Sequence, residues 1–179
     1  MKNNKRQIRK NKKTERDGFT LIELILYVSI SSVLLFGASM AFQVLFVSQV
    51  KSQAIQEVEA QGAAAVARIT QAMRNADSIT LPVKGTPTST LSLVFLAAGS
   101  NPTIVDIATG TLRIREGAAT TSTALTNSKI TASALLFSNL SRTSTPGIVR
   151  VQFTLQYINP ANKNEYNYSQ TFFGSGALE

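Results

Sequence analysis

Residues 16–26 read R-D-G-F-T-L-I-E-L-I-L, running from Arg16 through Gly18, Phe19 and Glu23 to Leu26. A charged leader ends at Gly18, an apolar stretch opens at Phe19, and Glu23 is the single acid inside it. A carboxylate within a membrane span is costly enough to mark a functional position, and it calls for a partner.

Working outward, residues 24–50 contain no charged side chain. As a helix this stretch would measure about 40 Å, more than the ~30 Å of a bilayer core. A secretory signal peptide would have an apolar region of only about 7 to 15 residues ending in a small-residue cleavage site. Here the run is longer and the cut expected from the sequence lies before it. The basicity of the chain is also concentrated here: residues 1–17 hold eight of the eighteen Lys/Arg and two of the ten Asp/Glu, so the rest of the chain is nearly neutral. By the positive-inside rule the leader is expected in the cytoplasm, with everything beyond about residue 50 outside it.

The helical period continues past the apolar run. Ile55, Val58, Gly62, Val66, Ile69, Met73 and Ala76 step by three and four residues and form one apolar stripe, with Gln56, Glu57, Arg68, Gln71 and Arg74 mostly off it. All five prolines follow residue 81, so a helix is expected over residues 20–77, weakened at Gly37 and Gly62 by about 1 kcal/mol each. Gly62-Ala-Ala-Ala reads as a close-packing patch against a sheet. After Ser78 the period changes to two. Residues 90–96, 111–115 and 148–158 alternate apolar with polar and predict antiparallel strands, with 129–140 and 168–173 as further candidates. Turns are expected at Gly85, Gly99, Thr109-Gly110 and Pro146-Gly147, and residues 117–128 read as a surface loop, with a strand there left open. The apolar stripe supplies the cover that such a sheet requires.

The chain has neither Cys nor His among its 179 residues. Disulfides, thiolate metal sites and the commonest general base are therefore excluded, and no S-x-x-K pattern supplies a lysine base for a serine nucleophile. No catalytic residue, metal site or cofactor is assigned. For an enzyme the only loose acid pair is Asp106 with Glu116. Asn159, Asn162, Asn164, Glu165 and Asn167 are oxygen-rich, but one carboxylate is too few for an ordinary calcium site, and a polar turn is preferred. Arg113, Arg115, Arg142 and Arg150, with Tyr157, Tyr166 and Tyr168 as stacking groups, are candidates for nucleic acid; the low net charge of this region favours a solvated sheet face instead.

A basic leader ending in Gly18, then Phe19-Thr-Leu-Ile-Glu23 at the edge of an apolar helix with an amphipathic outer half, resembles the class III signal of type IV prepilins and type II secretion pseudopilins. The likeness is strong over residues 1–76 and architectural beyond. It implies an α+β, pilin-like fold: leader 1–18, membrane or filament-core helix 19–50, outer helix 51–77, and an antiparallel β-rich head 78–179. It implies cleavage by a prepilin peptidase between Gly18 and Phe19, and N-methylation of Phe19 by the same enzyme. It further implies assembly with other pilin or pseudopilin subunits on an inner-membrane platform, through Thr20, Leu21, Ile22 and Glu23. Glu23 would meet the N-terminal amine of a neighbouring subunit. The chain would be a single-pass cytoplasmic-membrane protein, in lipid before assembly and in a periplasmic or surface filament afterwards. Met40 stands where many major pilins carry proline, there is no cysteine for a disulfide loop, and Glu23 is present where one minor pseudopilin type lacks it. The outer-helix stretch 66–79 is most similar to a minor J-type pseudopilin or a related minor pilin. The alternative within the same resemblance is a competence-pilus subunit with a DNA-binding tip.

Overall fold

The computed structural model describes residues 18–118, 121–142, 147–159 and 166–178. The basic leader lies outside these residues, as do Asn162, Asn164 and Glu165 of the oxygen-rich turn and Pro146 of the Pro-Gly turn. The chain forms two compact units, divided between Val44 and Leu45.

The first unit is a helix throughout its described length after Thr20, the opening part of α1 (Leu21–Arg74). Apolar residues here surround the whole helix with no polar face, and every described residue of this unit is exposed except Glu23, which is half-buried. α1 is long and apolar enough to cross a membrane.

The second unit holds the rest of α1 and two antiparallel sheets. In the first sheet β1 (Ser78–Leu81), β2 (Leu91–Val94), β3 (Thr103–Ala108), β4 (Thr111–Glu116) and β5 (Thr123–Ala124) lie in sequence order. In the second, β6 (Ile130–Asn139), β7 (Ile148–Tyr157) and β8 (Ser169–Ala177) do the same. This is α+β with every strand pair antiparallel, and the single small sheet expected from the sequence is two sheets. Their union runs along β6: the Ala132 N–H donates to the Gly110 carbonyl at 2.7 Å, and Thr88 bridges to Phe137.

Local chemistry accounts for the pairings. Thr109 and Gly110 have φ of 49° and 75° and close a two-residue hairpin between Ala108 and Thr111, since positive φ at both positions matches the twist of the flanking strands. In β6 the register slips between Ser133 and Leu136, with Ala134 at φ 51°. The extra residue changes the phase of the strand. Ile130 and Ala132 point inward before it, Leu135 and Phe137 after it.

The core joins the helix to both sheets. Val58, Ala65, Ile69 and Met73 pack with Leu91, Leu93, Val105 and Leu112 from one sheet and with Phe137, Val151, Phe153 and Leu155 from the other. The predicted stripe needs correction: Val66, like Ile55, is only partly buried. Ala54, Ala65 and Ala72 are buried beside the predicted residues, because a helix lying against a sheet needs a band wider than one row. α1 also ends at Arg74, three residues short of the expected limit, where Asp77 N–H pairs with the Val94 carbonyl at 2.9 Å and strand geometry takes over. Gly62 is a close-packing position, as expected. A Cβ there would stand 2.1 Å from Cζ of Phe172 on β8, so the ring occupies the space a side chain would need. Gly174 and Gly176 of β8 likewise admit Val66 and Met73 of the helix.

Candidate functional site

The residues singled out in the sequence occupy the start of α1. Gly18, Phe19 and Thr20 are not helical, and Leu21 is the first helical residue. Thr20 caps the helix: its Oγ1 accepts from the Glu23 N–H at 3.3 Å, and its carbonyl accepts from the Leu24 N–H at 3.1 Å. A threonine at this position satisfies an amide that has no intrahelical partner. Thr20-Leu-Ile-Glu23 is also the S/T-x-x-E spacing of a capping box, and the acid in the first turn faces the positive end of the helix dipole. This signal was present in the sequence, hidden because the same four residues read as an apolar assembly motif.

Glu23 has a local partner. Its Oε1 accepts a long hydrogen bond from the Tyr27 hydroxyl at 3.4 Å, one turn along the helix. The Tyr27 ring in turn meets Phe19 edge to face, with centroids 6.1 Å apart and planes at 70°. Phe19, Tyr27 and Glu23 thus form one small cluster around the N-cap, and Tyr27 is the member that the sequence reading missed. Its i+4 spacing from Glu23 was the available clue. Leu21 and Ile22 make no buried contact and are 79% and 75% exposed. Among the described residues nothing lies within 4 Å of where a Cβ on Gly18 would stand.

The scissile position suggested by the sequence, Gly18-Phe19, therefore lies in non-helical backbone just before the cap. A peptidase needs accessible backbone, and Gly18 and Phe19 are both exposed. A cut there would leave the Thr20 cap intact.

The other candidates are dispersed. Asp106 and Glu116 do not face each other as an acid pair: Asp106 is opposite Arg113 in the β3–β4 register and Glu116 opposite Thr103. The Arg113 guanidinium donates to both Asp106 oxygens, at 2.5 Å and 3.2 Å, and this bond holds its pKa above the ordinary arginine value. Arg68 of the helix meets Glu116 at 2.6 Å. Of the arginines considered for nucleic acid, Arg113 and Arg115 share one face of β4, and Arg150 lies on β7 in the other sheet. Tyr157 and Tyr166 stack at 5.9 Å. Tyr168 lies next to Glu59, and burial followed by that carboxylate pushes its phenol above the ordinary tyrosine range. Among the described residues no group of three or more His, Cys, Asp or Glu is placed to hold a metal.

No protein-family model, curated protein or solved structure matches this chain.

Proposed function

We propose that this protein is a structural subunit of a type IV pilus-like filament, a minor pilin or pseudopilin that acts by assembly. One observation carries the reading: Gly18-Phe19 stands in exposed non-helical backbone immediately before an apolar helix whose described residues in the first unit are all exposed except the half-buried Glu23. Such a surface requires either lipid or the helices of neighbouring subunits, and a filament subunit meets the two in succession.

In this reading the apolar helix anchors the precursor in the membrane, with the basic leader in the cytoplasm. The peptidase cuts after Gly18, and methylation leaves Phe19 with a charged secondary amine. That amine emerges close to Glu23, and the neighbouring subunit's amine is the charge that Glu23 takes on during assembly. Burying the carboxylate alone in an apolar filament core would be costly, and pairing it offsets that cost. Before assembly Tyr27 supplies a weak substitute. Arg113, one of the side chains on which a DNA-binding tip would draw, is engaged by Asp106.

Peptide sequencing and intact mass of the protein from its native membrane test the proposal. The expected product begins at N-methylated Phe19, and a mature protein retaining residues 1–18 refutes it. For the pairing, Glu23→Ala is expected to insert and be cleaved normally yet fail to enter filaments. Normal incorporation of that variant would remove the Glu23 account and leave the subunit reading standing.

A further inference from the structure

Within the second unit a cavity of about 370 Å³ opens between the outer part of α1 and the adjoining ends of β6 and β7. That volume falls in the usual range for small-ligand sites, about 300–1,000 Å³. Gln53, Gln56, Glu57 and Ala60 line it from the helix, at spacings that put all four on one face. Lys129 and Tyr157 line it from the sheet. They are brought together because Ile130 pairs with Tyr157 across β6 and β7 and the Ile158 N–H donates to the Lys129 carbonyl at 2.8 Å.

The lining is held in position from behind. Glu57 Oε1 accepts from Asn127 Nδ2 at 2.5 Å and from Gln61 Nε2 at 3.1 Å. Among the described residues no donor reaches its second oxygen. Tyr166 stacks on Tyr157 with only 13° between the rings, which sets the plane of the ring at the cavity wall. No ion pair within the described residues engages Lys129.

We propose that this cavity is a binding site for a neutral saccharide. Gln53 offers amide donors and an acceptor, Gln56 an acceptor and the N–H left beside the one it donates to Ser52 Oγ at 3.2 Å, Glu57 an acceptor and Lys129 a donor, which is the mixed set that vicinal hydroxyls require. The Tyr157 ring supplies the flat apolar wall for the C–H face of a pyranose. One carboxylate against one ammonium leaves the site without net charge, which disfavours phosphates and nucleic acid. The apolar lining is confined to Ala60 and the ring, too little to select an apolar side chain. This inference makes no use of Phe19 or Glu23, so it stands or falls separately from the filament reading.

The test is saturation-transfer NMR on the full chain in a detergent without a sugar headgroup. The neutral probes are maltotetraose, cellotetraose and the N-acetylglucosamine tetramer; sialyllactose and a single-stranded oligonucleotide are the charged ones. At least one neutral probe is expected to bind with a Kd of about 1 mM or tighter. Tyr157→Ala is expected to weaken it about tenfold and Tyr157→Phe much less. Gln53→Ala changes an exposed helical position and serves as the second variant should Tyr157→Ala fail to fold; it too is expected to weaken binding. Absence of transfer to every neutral probe at about 10 mM overturns the proposal. Tighter binding of either charged probe overturns it as well, as does neutral-probe binding that neither a folded Tyr157→Ala nor Gln53→Ala disturbs.

Discussion

One helix behaves in two ways. In residues 21–44 apolar side chains surround the axis and all residues but Glu23 are exposed, whereas in residues 45–74 a band containing Val58, Ala65, Ile69 and Met73 is buried and most other positions face water. The backbone geometry is the same in both. The difference lies in the distribution of polar groups around the axis: a band can be covered by one sheet, while a helix apolar on every side needs cover from outside its own fold. The outer part therefore stabilises the second unit.

The sharpest way to break this contrast is to truncate an aromatic ring in each region. Phe153→Ala removes a fully buried ring and is expected to destabilise the second unit by about 3–5 kcal/mol. Phe36→Ala, exposed in the first unit, is expected to leave its unfolding unchanged within about 0.5 kcal/mol. Equal effects of the two on thermal unfolding followed by near-UV circular dichroism would end the distinction.

The glycines give a second, smaller test. Gly62→Val must displace Phe172 and is expected to cost about 1–3 kcal/mol, whereas Gly37→Val meets nothing within 4 Å and is expected to leave that transition in place. A neutral Gly62→Val would mean that the helix and β8 are less closely packed than described.

At the start of the helix Thr20→Ala is expected to loosen the first turn by about 1 kcal/mol without altering the second unit. Faster hydrogen exchange at the Glu23 and Leu24 amides would register it, and unchanged exchange would remove the cap assignment.

The smallest effect concerns pH. The Tyr168 phenol is raised in the folded state by burial and by Glu59, so the unfolded chain ionises first, near about pH 10. Its stabilising contribution is complete below that value and lost as pH rises through the higher folded value. Tyr168→Phe should therefore flatten the alkaline decline in stability; an unaltered decline assigns it to other groups.

Much of the architecture was legible because it rests on local periodicity. The stripe through Val58, Gly62, Ile69 and Met73 pointed to the buried face. The expected segments 111–115 and 148–158 overlie β4 and β7, and residues 129–140 contain β6. The misses were places where pairing, not pattern, makes the strand. Thr103–Ala108 carries Asp106 in its centre and lacks clear alternation, yet it is a full partner of β4 because the Thr109-Gly110 turn returns it there. Within residues 117–128, where a strand was left open, Thr123–Ala124 is a strand only through its pairing with Arg113 and Ile114. β8 extends to Ala177 through two glycines, which look like strand breakers until the helix residues filling their space are seen. At the candidate site Gly18, Phe19 and Glu23 were readable from residue type and spacing. Tyr27 was not picked out, since in a run of apolar residues an aromatic with a hydroxyl attracts no notice until a carboxylate lies within reach.

By itself the sequence determined where the charged leader stops, where an apolar helix begins, that the helix acquires one polar side after the apolar run, and that strands follow. These properties depend on side chains no more than a few residues apart, and short-range periodicity records them. Only the tertiary structure decided that the strands divide into two sheets joined at β6 and that Phe172 fills the space over Gly62. It alone drew Lys129 and Tyr157 to the face carrying Gln53 and Glu57. Those outcomes depend on groups scores of residues apart competing for the same volume, and no local pattern encodes which of them will meet.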